Sequence, residues 1–278
     1  MKKRRTLLVF IVLSTLVAGL FLWCFVVEPA SLRVSEYQIE IPDWPESFPV
    51  LKVAVIADLH VGAPFIGLDK VKEIVELTND QKPDLILLPG DFVIQDVLGG
   101  EFIEPKETAK ILAGLKAPLG VWGVLGNHDW WYDHKDVQEA LETVGIPMLE
   151  DTAVSMSHKG ETFWLVGISD FYEGAHDMER AFSKVPRNAP FLAMTHTPDI
   201  FVEYPKRTGL LISSHTHGGQ VNLPFLGRPV VPSCYGDRFA SGLIVEDGKK
   251  MFVSTGIGTS IIPVRFRVPP EISILYIH

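Results

Sequence analysis

The sequence predicts an α/β fold on a largely parallel sheet, preceded by one apolar helix. Three observations carry this. Short apolar runs at residues 50–57, 84–88 and 119–125 alternate with helical segments through the first half of the chain, the pattern of strands joined by crossover helices. Each run stops abruptly at polar residues, where open α/β sheets bind their ligands. Ahead of them, residues 7–27 carry no charge, and a helix of that length spans a bilayer.

Taken in order, the apolar run 7–27 directly follows Lys2, Lys3, Arg4 and Arg5. A cleaved signal has a shorter apolar core and a small-x-small site after it. Val27-Glu28-Pro29-Ala30 offers no such site, so 7–27 reads as an uncleaved signal anchor. The positive-inside rule keeps residues 1–6 in the cytoplasm and places the rest of the chain on the non-cytoplasmic side of a single-pass anchor. Residues 28–49 read as a linker with an edge strand at 33–41, which alternates by twos and stops at Pro42. The run 50–57, broken only by Lys52, stops at Asp58-Leu59-His60. Asp69 then caps a helix through about Asn79, with Val71, Ile74, Val75 and Thr78 on one face.

The strand at 84–88 stops at Gly90-Asp91, and a helix covers 106–115. The run 119–125 stops at Gly126-Asn127-His128-Asp129, read as a polar turn before a helix over 135–143. The second half is richer in strands. Residues 153–157 and 162–167 flank Lys159-Gly160 as a hairpin, and 243–246 and 251–254 flank Asp247-Gly248 in the same way. The run 191–195 ends at His196; 209–212 runs into Ser213-Ser214-His215-Thr216-His217; 272–277 closes the chain. Residues 50–278 are read as one domain.

The net charge is −9. Four of the 25 basic residues precede the apolar run, which leaves 21 against 34 acidic ones, or −13, for the remainder. A body that acidic repels polyanions, and no nucleic-acid partner is expected. Cys24 lies inside the apolar run, so it has no route to pair with Cys234, and no disulfide framework is present.

Five apolar runs end in residues able to bind a metal: Asp58 and His60; Asp91; Asn127 and His128; His196; His215 and His217. All are oxygen or imidazole donors, a set that suits borderline-hard ions such as Mn²⁺, Fe or Zn²⁺. One histidine after a strand is ordinarily structural; five strand ends finishing alike call for a shared ligand.

Asp58-Leu59-His60, Gly90-Asp91, Gly126-Asn127-His128-Asp129, His196 and His215-Thr216-His217 resemble, in order and type, the signature of the calcineurin-like metallophosphoesterases. The later segments Gly256-Ile257-Gly258-Thr259, Pro263-Val264-Arg265 and Pro269-Pro270-Glu271 resemble the C-terminal end of its membrane-anchored branch, related to bacterial YkuE and YaeI. The resemblance implies a four-layer α/β/β/α sandwich with two divalent metal ions. It implies that Asp58, His60 and His217 bind the first ion, that Asn127, His196 and His215 bind the second, and that Asp91 bridges both. His128 is then the catalytic imidazole near the leaving group, a general acid. Two ions about 3.5–4 Å apart clamp a phosphoryl group and activate water for in-line attack. One departure is Ser214, where the family usually has Gly; serine fits if its φ is negative.

Absent marks narrow the substrate. Gly90-Asp91-Phe92-Val93 runs on into Ile94-Gln95, without the Asp-Arg-Gly of protein phosphatases or the Tyr ligand of purple acid phosphatases. The implied activity is a membrane-anchored phosphodiesterase or pyrophosphatase of a lipid or a UDP-acyl-sugar-like lipid precursor. The alternatives are a phosphomonoesterase, a nucleotide phosphodiesterase, and a metal-binding scaffold without catalysis. Trp130-Trp131-Tyr132 either walls a substrate pocket or packs beneath a loop; Phe65 either dips toward acyl chains or joins the core. Arg228, Arg238 and Arg265 are candidate phosphate binders, against solvation for the first two and an ion pair with Glu271 for Arg265.

Overall fold

Alternation by twos sorts the strand residues onto two buried faces, and this fixes the layers. The computed structural model describes residues 2–278 apart from 42, 43, 46, 96 and 208; Pro42, expected to stop the edge strand, lies outside the described residues. The chain begins as one rod: α1 (Lys2–Leu22), a π-helical stretch at Trp23–Val27, and α2 (Glu28–Ala30). No residue of α1 is buried, and this rod is the one helix long and apolar enough to cross a membrane among the described residues. Its lower end docks on the body. Arg265 N donates to Cys24 O at 2.9 Å, Val268 N to Glu28 Oε1 at 2.7 Å, and Lys70 Nζ to Ala30 O at 3.2 Å.

The first sheet contains β1 (Arg33–Ile39), β2 (Leu51–Val55), β3 (Leu85–Pro89) and β4 (Val121–Val124). Helices α3 (Leu68–Asp80), α4 (Pro105–Leu112) and α5 (Asn127–Thr143) cover one of its faces. The second sheet is β5 (Thr152–His158), β6 (Glu161–Gly167), β7 (Phe191–Met194), β8 (Leu210–Ser213), β9 (Gly242–Glu246) and β10 (Lys249–Val253), with the short helix α6 (Met178–Phe182). The last strand, β11 (Glu271–Ile277), returns to the first sheet. The orders are β1-β11-β2-β3-β4 and β5-β6-β7-β8-β10-β9. Central pairs are parallel; β5/β6 and β9/β10 are the antiparallel hairpins expected at Lys159-Gly160 and Asp247-Gly248. The closing strand inserts between β1 and β2, parallel to one and antiparallel to the other.

Leu85 and Leu87 of β3 meet Leu192, Met194, Leu210 and Ile212 of β7 and β8 between the sheets. Their alternates Ile86 and Leu88 pack under the helices of the first half, while Ala193 and Leu211 pack on the outer side of the second sheet with Ala181 and Phe201. Helices, sheet, sheet and helices give four layers.

The structure corrects several boundaries. Gly67, not Asp69, caps α3, and Asp69 sits in its first turn. Helix α4 ends at Leu112, short of 115. The largest difference is α5. It starts at Asn127, so the expected polar turn is the first turn of a helix that breaks at Asp133 (φ −165°, ψ 98°) and continues to Thr143.

Candidate metal centre

The parallel strands aim their carboxyl ends at one edge of the sandwich, and the chain turns sharply there. Asp58 and His60 follow β2, Asp91 follows β3, Asn127 and His128 follow β4, His196 follows β7, and His215 and His217 follow β8. Five of these take left-handed backbone: Asp58 (φ 47°), His60 (44°), Asp91 (58°), His215 (71°) and His217 (49°). Such conformations cost about 1–3 kcal/mol each and concentrate where side chains must be aimed. Ser214 keeps a negative φ, as a side chain there requires, and its Oγ donates to Pro89 O at 2.9 Å.

All eight residues converge. His60 Nε2 lies 3.0 Å from His217 Nε2, and Asp58, His60 and His217 bring donor atoms within 4.8 Å of one another. Asp91, His196 and His215 form a second such group; there His196 Nε2 lies 3.1 Å from His215 Nδ1 and 3.0 Å from Asn127 Oδ1. Asp91 Oδ2 stands between the groups, 3.4 Å from His60 Nε2 and 3.2 Å from His196 Nε2. Its Oδ1 accepts the His128 backbone N–H at 2.9 Å. The outer nitrogens are engaged: His196 Nδ1 with Pro89 O at 2.8 Å, His60 Nδ1 with Val93 O at 3.3 Å. An N–H donated outward by Nδ1 turns each Nε2 inward, the orientation that metal ligation needs once that nitrogen is deprotonated.

The electrostatics fit divalent cations. Asp58 Oδ2 and His217 Nδ1 are buried without a hydrogen-bond partner. Burial pushes the imidazoles of His60 and His215 down, to about 3 and about 4, and His217 well below its ordinary value; all three are neutral donors, the form that binds metal. Burial, joined by repulsion from Asp91, pushes the Asp58 carboxyl up to about 7. At His196 burial acts downward, but Asp91 and Asp58 outweigh it and raise the imidazole to about 10. Buried carboxylates that capture a proton on a histidine are short of positive charge, and the donor set is oxygen and nitrogen only.

His128 brings a ring nitrogen within 4.8 Å of donors of His60 and Asp91. Gln95 Nε2 donates to the His128 carbonyl at 3.1 Å, which turns Gln95 Oε1 toward His128 Nδ1, also at 3.1 Å. That fixes Nδ1 as the protonated nitrogen and leaves Nε2 to the cavity. Burial lowers the His128 pKa. The cavity, about 790 Å³, is lined by Asp91, Asn127 and His215 together with the apolar Val230, Ile261 and Val264.

Several residues of the motifs quoted above support the site without joining either donor group. Asp129, fully buried, accepts four backbone N–H groups, from Asp91, Phe92, Val93 and Gly126, at 2.9–3.2 Å. It ties the Asp91 turn to the start of α5. Its bond to the Gly126 N–H is half of a capping box; glycine has no side chain to supply the other half, so the spacing alone does not announce it. Gly126 itself has no room for a Cβ, which would overlap Asp91 Oδ1. Gly256 (φ 64°) likewise abuts Asp58 Oδ2. Arg265, fully buried, forms no ion pair with Glu271; it donates to the carbonyls of Thr255, Gly256, Gly258 and Val268, and so braces that loop. Glu271 instead accepts from Tyr37 and Ser273.

The remaining candidates divide. Trp130 stacks on His134 of the same helix at 4.0 Å and packs against the core, while Trp131 lines the cavity, edge-on to His128 at 4.7 Å. Arg228 donates to Gly218 O and Ser241 Oγ, and Arg238 pairs with Glu246 at 2.6 Å; neither is among the cavity-lining residues. Phe65 is half-exposed at 39%, and Ile66 beside it is core.

Comparison with known proteins agrees with this geometry. The sequence pattern described as calcineurin-like phosphoesterase matches residues 51–219. The chain is 27% identical to the metallophosphoesterase YkuE of Bacillus subtilis, over 89% of this chain and 86% of that one. It is 29% identical to phosphodiesterase YaeI of Escherichia coli, over 81% of each. It is 24% identical to UDP-2,3-diacylglucosamine pyrophosphatase LpxG of Chlamydia trachomatis, over 92% of each. The chain belongs to the calcineurin-like phosphoesterases and is a metal-dependent phosphoric ester hydrolase.

Proposed function

We propose that this chain is a membrane-anchored, two-metal phosphodiesterase acting on an amphipathic phosphodiester or pyrophosphate, of the kind found in lipids and lipid precursors. The observation that carries this is the pairing of two donor groups around Asp91 with a cavity whose lining is mainly apolar. Asp58, His60 and His217 would hold one ion, Asn127, His196 and His215 the other, and Asp91 both. Bound there, divalent cations supply Lewis acidity toward a phosphoryl group and lower the pKa of water. The protein does the rest. Asp91 is locked in place by the His128 N–H and by the Asp129 brace. His128, oriented by Gln95, turns Nε2 to the cavity, where its imidazolium form would give a proton to the leaving oxygen. Trp131 and the aliphatic side chains give the cavity an apolar surface for a hydrocarbon part of the substrate.

The LpxG relative, named for a diacylated sugar nucleotide pyrophosphate, supports the substrate class. The apolar N-terminal helix supports the anchor, and the basic residues ahead of it support a non-cytoplasmic body. The test is hydrolysis by the purified full chain with Mn²⁺ of a panel of lipid phosphodiesters, nucleotide-sugar pyrophosphates, phosphomonoesters and soluble nucleotide diesters. The reading expects the acylated diesters or pyrophosphates to have the highest kcat/KM. A preference for monoesters or for unacylated nucleotides overturns it.

A further inference from the structure

The most exposed large apolar side chains of the body gather beside the cavity mouth, on segments bonded to the end of the N-terminal helix or to one another. Residues 221–227 form a hairpin, closed by bonds between Leu223 and Gly227 at 2.8 and 2.9 Å. Its tip carries Phe225, fully exposed, and Leu226, 81% exposed. Beside it the 260–264 turn exposes Ile261 (74%) and Ile262, and Leu98 (69%) is tied to that turn by its N–H to Ile261 O at 3.1 Å. The hairpin and this segment are one unit, because Phe266 N donates to Gln220 O and Asn222 N to Phe266 O, both at 2.9 Å. Five large apolar side chains on one rim are far more than scattered surface residues provide, and such patches mark an interaction surface.

What covers the rim follows from where the helix meets it. Arg265 N bonds to Cys24 O, and Cys24 lies three residues inside the apolar run that ends at Val27. Even at the α-helical rise of about 1.5 Å per residue, which a π-helical stretch does not exceed, this backbone contact is within about 4.5 Å of the end of the span. Trp23, in the same turn, donates its indole N–H to Glu28 Oε2 at 2.6 Å, the half-apolar, half-polar setting that tryptophan occupies at a bilayer interface. The 260–268 segment is thus pinned at the level of the lipid surface, and Arg267 on it is exposed.

We propose that the 221–227 hairpin tip and the 260–264 turn, with Leu98, insert into the leaflet that the N-terminal helix enters, so that the metal-lined cavity opens onto the headgroup layer and takes its phosphoester laterally from the bilayer. The inference rests on the reading of that helix as a membrane span, and it deepens the proposed function by naming the route of the substrate. Val230, Ile261 and Ile262 line the cavity as well as the surface, so the apolar wall is continuous from lipid to metal site.

The test uses the full chain in lipid nanodiscs, in a Cys24→Ser, Cys234→Ser background. Single cysteines replace Phe225, Ile261 or, as control, Val245, which is 57% exposed on edge strand β9. Each is spin-labelled and its collisions with oxygen and with a water-soluble nickel chelate are compared. Labels at 225 and 261 favouring oxygen, with 245 favouring nickel, are expected. Labels at 225 and 261 that favour nickel, or that are shielded from both reagents as by a second protein, overturn the proposal. This measurement needs no turnover, so an inactive chain would sink the phosphoesterase reading and leave the insertion result standing. A second arm uses the triple substitution Leu98→Ser, Phe225→Ser, Leu226→Ser, none of which lines the cavity. It is expected to lower the rate on phosphatidyl-p-nitrophenol in vesicles by about tenfold or more, with bis(p-nitrophenyl) phosphate in solution unaffected. Equal rates on both substrates for wild type and variant overturn the lateral route.

Discussion

Replacing Asp129 by Asn removes the brace between the Asp91 turn and α5 while changing almost no volume. Each carboxylate oxygen of Asp129 accepts two backbone N–H groups: Oδ1 those of Phe92 and Val93, Oδ2 those of Asp91 and Gly126. An amide has one acceptor oxygen. In either orientation two of the four N–H groups lose their acceptor and face an NH₂ instead. Burial and repulsion from Asp91 push the Asp129 carboxyl up to about 7, so each bond falls between a neutral and a charged one, about 1–3 kcal/mol, and the substitution costs about 2–6 kcal/mol. Against a total stability of about 5–15 kcal/mol that is a large loss, and it falls where Asp91 is aimed. We expect Asp129→Asn to lower the urea midpoint strongly and to reduce bound metal and turnover, although Asp129 belongs to neither donor group. Urea unfolding with metal analysis of the same samples is the assay. An Asp129→Asn protein within about 1 kcal/mol of wild type, holding its full metal complement, would refute the reasoning.

Three further outcomes follow from the geometry. His128→Ala should keep both ions and lose kcat, least for esters with good leaving groups such as p-nitrophenol, and Gln95→Leu should give a weaker version of the same pattern; an equal loss across leaving groups argues for electrostatic stabilisation without proton delivery. Gly256→Ala should raise the Mn²⁺ concentration needed for half-maximal rate, since its Cβ displaces Asp58, while Gly160→Ala in the open β5–β6 turn (φ 94°) should leave that value unchanged. Burial, helped by Asp151 and Asp170, pushes the Glu150 carboxyl up to about 7. The folded chain therefore holds this proton more tightly than the unfolded one, and the associated stability is fully present below the ordinary value of 4.5 and lost as pH rises through about 7. Glu150→Gln should flatten about 3 kcal/mol of that decline, read from urea midpoints at about pH 5 and pH 8; parallel profiles for the two proteins contradict this.

The sequence was most legible where periodicity and strand-end chemistry agree. The runs ending at Asp58, Asp91, Asn127, His196 and His215 become parallel strands whose ends meet, since buried parallel strands are apolar throughout and their polar stops stand out. Legibility failed where one residue serves two purposes. Asn127-His128-Asp129 looked like a turn because polar residues crowd it; tertiary hydrogen bonds to Asp129 make it the first turn of α5. Arg265 looked like a partner for Glu271 by sign of charge, but four carbonyls satisfy its guanidinium, and backbone acceptors leave no trace in a sequence. Phe225 and Leu226 drew no attention, because a two-residue apolar tip has no period, and only the bond from Arg265 to Cys24 shows where it sits.

The central claim is that Asp58, His60, Asp91, Asn127, His196, His215 and His217 hold two catalytic divalent ions. Its most direct measurement is metal content and turnover of bis(p-nitrophenyl) phosphate for wild type and Asp91→Asn, before and after exhaustive chelation. The account predicts two ions per wild-type chain, activity that disappears on chelation and returns with Mn²⁺, and an inactive Asp91→Asn chain with fewer than two ions. Wild-type protein that turns over fully after its metal has been removed would contradict it.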